Sequence, residues 1–341
     1  MRMPLILTAL IRLPSSCHRQ QTAGVPDRRP TVHQHPLAYL IGLEGVALLR
    51  CFAGEDDSEA TTARLAGVRR LLDAAEELGT GVTGTLITTQ EGYRTWASSY
   101  DAPGNQLIDI EQPVVHRILD ALPPGVAVDA ACGTGRHTVH LSGLGHRVIG
   151  VDSSPHMLAV AASKLPETDL RLGGLHRLPV ASASADLLLC ALALTHVPDL
   201  HPVFSEFARV LRPGGHLVLS DARSLLEGVG RPMPGRDRAG RFVVMPWFDW
   251  RTSDYLAAAL PLGFEVRDCQ EPLRPNPLVR EDGSTVSDPP GPAQHDPLAP
   301  PNIWALHAYA PEATNAAYRN RPVAIIWHFQ LGHRRRDRRP R

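Results

Sequence analysis

The sequence carries no net charge: 35 Lys and Arg balance 35 Asp and Glu, and only 21% of residues are charged. Such a chain has no global field to draw it to nucleic acid or to an anionic membrane, which leaves chemistry on a small molecule as the better expectation. Cysteine is also scarce. Cys17, Cys51, Cys132, Cys190 and Cys269 are odd in number and lack both the close pairs of a zinc site and the density of a secreted disulfide scaffold. Their usage fits a reducing cytoplasm and suggests no metal site. No apolar run reaches the roughly 18 to 20 residues of a spanning helix, so no membrane partner is expected. Met1–Arg12 imitates an export signal only weakly, because Arg12 interrupts the apolar stretch and no small-residue cleavage site follows.

At 341 residues the chain is long enough for one large α/β domain with appendages. Residues 1–57 show no sustained period, and Cys17 to Pro36 is rich in Arg, His, Gln and Pro, so a disordered leader is expected there. Residues 58–90 read as a helical extension and linker: Ser58 can cap a helix, and Ala63, Leu65, Val68, Leu71, Leu72 and Ala75 recur at helical spacing. That amphipathic face would pack on the main domain or make a homodimer. The main domain is expected over 91–330, with a Pro-rich loop or lid at 271–301, and residues 331–341 read as a solvated basic tail. Near the start of that domain Tyr93, Trp96 and Tyr100 fall at helical spacing, which suits either core packing or a lid over a ligand.

The centre of the chain is Val126 to Asp152. An apolar run ends near Asp129, a Gly133-Thr134-Gly135 turn follows, then a helix-like segment, a second apolar run and Asp152. This is the order of a nucleotide-binding β-α-β unit, whose turn lets backbone N–H groups approach a ligand while the acid after the second strand accepts ribose hydroxyls. A dinucleotide site would want a third glycine where this chain has Thr138. Asp129 beside the turn would repel a pyrophosphate but suits a ligand bearing an ammonium and a sulfonium, which argues for S-adenosylmethionine. Further on, the unbroken apolar run Leu187 to Leu194 reads as a central strand with Thr195 and His196 at its carboxyl edge, where α/β sheets bind ligands.

Four segments in order, Val128 to Gly135, Val148 to Leu158, Asp186 to His196 and Arg209 to Asp221, resemble the class I S-adenosylmethionine-dependent methyltransferases, in particular the quinone-biosynthesis (type 11) group. The resemblance implies a Rossmann-like seven-stranded sheet with helices on both faces and an antiparallel last strand, Pro322 to Gln330. It also implies that Asp129, Ala131, Cys132, Gly133, Thr134 and Gly135 hold the methionyl part of the cofactor. Asp152 would bind the ribose, Ser153 and Met157 would lie near the adenine, and Ala191 would contribute from the fourth-strand segment. Two positions depart from the pattern. Ala131 adds a methyl where many members have a glycine, and Gly174 stands where an acid often meets the adenine amine, leaving Leu175 to offer a backbone N–H.

The expected reaction is transfer of the methyl group of S-adenosylmethionine to a small-molecule acceptor by in-line displacement. His196 is the candidate base if the acceptor must lose a proton; its alternative role is to orient a loop. A protein that binds the cofactor without catalysis and an NAD-dependent oxidoreductase are the competing readings.

Overall fold

The computed structural model describes residues 29–101, 105–229, 232–274 and 303–333. The chain enters as a short strand β1 (Thr31–Gln34), and Pro36 at the first turn opens helix α1 (Pro36–Phe52). Asp57 caps helix α2 (Ser58–Asp73) by accepting the Ala60 N–H at 2.8 Å. The expected disordered leader is therefore corrected over 31–57. Leu40, Leu43 and Ala47 recur along one face of α1 and are fully buried with Leu71 of α2, a helical signal obscured by the polar composition just upstream. Residues 1–28 lie outside the described residues.

The expected linker is also structured. Strand β2 (Val82–Leu86) pairs antiparallel with β1, and helix α3 (Thr89–Trp96) follows under a capping box in which Thr88 and Glu91 satisfy each other's backbone donors. Helix α4 (Gln106–Asp120) then leads into strand β3 (Val126–Ala130), helix α5 (Arg136–Gly143), strand β4 (Arg147–Asp152), helix α6 (Pro155–Lys164), strand β5 (Asp169–Leu172) and strand β6 (Ala185–Ala191). Helix α7 (Leu200–Val210) runs directly into the long strand β7 (Leu211–Ala222).

The stretch after Ser224 contains a hairpin of β8 (Met233–Arg236) and β9 (Phe242–Met245). β9 pairs in parallel with β2, so a second sheet forms in the order β1-β2-β9-β8. The chain continues through helix α8 (Thr252–Ala259) and strand β10 (Phe264–Gln270). Two helices follow, α9 (Ile303–Tyr309) and α10 (Pro311–Tyr318); Pro311 cannot supply the N–H that would continue the first. Strand β11 (Ala324–Leu331) comes last among the described elements, and α10 packs against α1.

The main sheet has the order β10-β11-β7-β6-β3-β4-β5, with β11 antiparallel to both neighbours, as the resemblance implied. Strand periodicity divides its side chains between two cores. Leu188 and Cys190 face one core with Phe204, Phe207 and Tyr255, whereas Leu187 and Leu189 face another with Val115, Leu119 and Leu141. Helices thus cover both faces, and the ligand-binding edge is left at the carboxyl ends of the parallel strands. No helix among the described residues is long and apolar enough to cross a membrane.

Candidate functional site

At the end of β3 the backbone turns through left-handed residues: Ala131 (φ 63°), Gly133 (φ 55°) and Gly135 (φ 85°), after which α5 begins. Glycine suits two of these positions, but Ala131 carries a Cβ in a region that L-residues avoid, so its added methyl is held under strain. The Gly133 N–H, expected to face a ligand, instead donates to Asp152 Oδ2 at 2.8 Å. Asp152 Oδ1 accepts the Ser154 N–H at 2.8 Å. The carboxylate is thereby clamped between the glycine turn and the start of α6. Burial raises its pKa, and these backbone donors pull it back down.

Asp129 lies deeper. It is 2% exposed, and its Oδ2 accepts a 2.6 Å bond from the Thr138 hydroxyl, so the residue in place of a third glycine serves to satisfy the acid. Burial raises the Asp129 pKa against the opposing pull of His137 and Thr138.

A cavity of about 260 Å³ opens above this turn. Ala131, Gly133, Asp152, Ser153 and Met157 form one part of its wall, Gly174 and Leu175 another, and Ala191 and His196 a third. The turn's remaining predicted residues do not line it. Cys132 is buried under β4, where its Sγ lies against Gly150; the Thr134 hydroxyl donates to Asp101 at 2.6 Å; and Gly135 starts α5 close to Leu165 and Ala161. Their part is to shape the turn.

Several lining residues carry no sequence signal of their own. Gly173, His176, Leu192 and Val197 are brought in by the ends of β5 and β6, and Leu192 (φ 54°) is a second strained residue at the rim. α3 supplies Gln90 and Tyr93, and Tyr100 follows just beyond it, so two of the three spaced aromatics do face the cavity. Gln90 Nε2 donates to the Ser153 carbonyl at 3.1 Å. Asp101 also pairs with Lys164 at 2.8 Å, so residues 90–101 are tied to the body at several points. Along β9, a Cβ at Gly92 would overlap the Met245 thioether, which shows how closely α3 lies on the second sheet.

His196 joins these elements. Its Nδ1 lies 2.9 Å from the Pro246 carbonyl, which can only accept, so Nδ1 carries the proton. Nε2 is then the acceptor for the Tyr93 hydroxyl at 3.1 Å. Burial depresses the His196 pKa, the Pro246 bond opposing it, and burial raises that of Tyr93 well above its usual value. Both are neutral near pH 7. Of the downstream aromatics, Phe248 donates its N–H to the Thr195 carbonyl at 2.7 Å and Trp250 donates Nε1–H to the Leu194 carbonyl at 2.9 Å. They brace the loop that carries His196. Beneath that loop, Asp221 at the end of β7 is 1% exposed and accepts the Tyr255 hydroxyl at 2.8 Å; burial raises its pKa to about 7.

A mixed seven-stranded sheet covered by helices on both faces, with an acid-anchored glycine turn at its ligand edge, is a Rossmann-like fold. A family model described as a methyltransferase domain matches residues 128–219. The chain is 36% identical over 135 residues to the malonyl-[acyl-carrier protein] O-methyltransferase of Yersinia pestis, a match covering 39% of this chain and 48% of that protein. It is 34% identical over 110 residues to a demethylmenaquinone methyltransferase of Bacillus cereus, covering 30% of this chain and 46% of the relative. It thus spans about half the length of these relatives. Among solved structures, a Haloferax volcanii protein described as a candidate methyltransferase, in complex with the Trm112 methyltransferase activator, superposes with a TM-score of 0.52 at 17% identity. That likeness covers 72% of this chain and 98% of the other.

Proposed function

We propose that the chain binds S-adenosylmethionine in this cavity and transfers its methyl group to a small-molecule acceptor by in-line displacement. The observation that carries the reading is the Asp152 carboxylate. It is fixed by the Gly133 and Ser154 N–H groups at 2.8 Å each and borders the cavity, where its remaining lone pairs can accept a ribose diol. The apolar Met157 and Leu175 suit a flat base beyond it, and buried Asp129 supports a positively charged ligand through space. The residues present therefore fit the cofactor.

Bound there, the cofactor supplies a methyl group already activated by its sulfonium. The chain's own task is to hold an acceptor beside it and to exclude water, and alignment of this kind can lower a barrier by roughly 7–11 kcal/mol in favourable systems. α3 and Tyr100 cover the cavity for that purpose. Where the acceptor must lose a proton, neutral His196 Nε2 can receive one, directly or through the Tyr93 hydroxyl that donates to it.

Two measurements test this. S-adenosylhomocysteine should raise the melting temperature and NAD should not; stabilisation by NAD alone would favour an oxidoreductase. Labelled methyl from S-adenosylmethionine should then enter a component of a metabolite extract, and binding without transfer would leave a cofactor-binding protein.

A further inference from the structure

Two adjacent glycines on the cavity wall have opposite reasons for being glycine. A Cβ at Gly173 would meet Pro179 Cδ at 2.5 Å and Val151 Cγ1 at 3.1 Å, so packing demands its absence. Among the described residues a Cβ at Gly174 would meet nothing within 4 Å, and Gly174 is not among those with positive φ. Neither the backbone nor a neighbour requires glycine there. Its effect is to leave the wall open, at a point that Leu175 and His176 share on the cavity lining.

The direction of that opening follows if Asp152 holds a ribose, a step that rests on the proposed cofactor reading. Gly173 donates its N–H to the Asp152 carbonyl at 3.0 Å, so residues 173–176 flank the ribose position on the side away from the glycine turn. That is where the nucleobase would extend, between this segment and Met157 at the start of α6. Gly173 and Gly174 offer the base no side chain, and Leu175 offers only apolar surface and its backbone.

We infer that Gly174 makes the nucleobase end of this site permissive, so that it accepts adenosyl ligands enlarged at the exocyclic amine of the purine. The ligand class is an N6-alkyl adenosyl thioether or sulfonium. The amine is not gripped by a side chain of residues 173–175, and a substituent on it has space beside Gly174 rather than a wall.

Calorimetry on the full chain with S-adenosylhomocysteine and its N6-benzyl analogue tests this without an acceptor. The two ligands should bind within about tenfold of each other, a difference of no more than about one decade in dissociation constant. Gly174→Leu should fill the opening, weakening the N6-benzyl analogue by about tenfold more than it weakens S-adenosylhomocysteine. Gly174→Ala serves as the milder variant, and the melting temperature of each unliganded protein checks that it is folded. A wild-type protein that rejects the N6-benzyl analogue by about 100-fold, or a Gly174→Leu change that weakens both ligands equally, overturns the inference. If S-adenosylhomocysteine itself does not bind, the cofactor reading fails first and carries this one with it.

Discussion

Tyr93 on α3 donates its hydroxyl to His196 Nε2 across the cavity at 3.1 Å, while the other ring nitrogen of His196 is held by the Pro246 carbonyl at 2.9 Å. One histidine therefore links three parts of the chain: the covering helix, the loop after β6, and the end of β9 in the second sheet. Pro246 fixes the tautomer, which leaves Nε2 unprotonated, and Tyr93 uses that lone pair.

Replacing Tyr93 with Phe keeps the ring and removes the donor. The cost should be about 1 kcal/mol, the net worth of a hydrogen bond of this kind. Urea denaturation at pH 7 reads it, and a variant as stable as the wild type would mean that the bond contributes nothing. Burial already depresses the His196 pKa below 6.5. The bond needs a neutral His196, so the Tyr93 contribution should persist through the unfolded value of about 6.5 and shrink only as pH falls through the lower folded pKa.

Asp152→Ala should weaken S-adenosylhomocysteine binding by about 100-fold or more, because two charge-assisted bonds to ribose hydroxyls, each about 1.5–3 kcal/mol, are removed together. Calorimetry measures it. The same change frees the Gly133 and Ser154 N–H groups, so the unliganded melting temperature is needed to separate loss of binding from loss of the turn. Unchanged affinity in a folded variant would refute the ribose assignment.

Ala131→Gly should stabilise the protein. Alanine at φ 63° pays the steric penalty of the left-handed region, about 1–2 kcal/mol, and the extra chain entropy of glycine returns part of it. A net gain of roughly 0.5–1 kcal/mol is expected in denaturant titration. A loss of stability would show that the methyl group makes contacts worth more than its strain.

Asp221→Asn should change how stability depends on pH. Burial raises the Asp221 pKa from 3.8 to about 7, so between these values the native state holds a proton that the unfolded chain releases. This carboxyl therefore makes stability decline as pH rises from about 4 to 7. Asparagine can still accept the Tyr255 hydroxyl but does not titrate, and its stability relative to the wild type should grow across that range. A difference between the two proteins that is independent of pH would place the Asp221 pKa near its ordinary value.

What the sequence disclosed of the fold was what depends on local pattern. β3, β4 and β6 are apolar runs closed by a glycine turn, an acid or a polar loop, and each stands out alone. β8 and β9 do not. They are four residues each, lie in a stretch dense in Arg, Gly and Pro, and become a sheet by pairing with β2, far upstream. α1 was obscured differently, because Leu40, Leu43 and Ala47 have helical spacing but follow a polar, proline-rich segment.

The site divides along the same line. Asp152, Met157 and His196 were legible as ends of recognisable segments, whereas Gln90 and His176 reach the cavity only through tertiary placement. Which groups of the glycine turn face outward was not legible either. Asp129 looked like a ligand contact and is engaged with Thr138; the Gly133 N–H looked free and is engaged with Asp152.

β11 lies between β7 and β10, hydrogen-bonded to both. During synthesis, β10 therefore has no seat in the main sheet until residues 324–331 have left the ribosome. Until then Leu217 and Leu219 of β7, and Phe264 of β10, wait for the strand that will join them. A nascent chain in that state presents an unpaired strand edge of the kind that invites aggregation, so the last described strand sets when the newly made protein becomes safe from its neighbours.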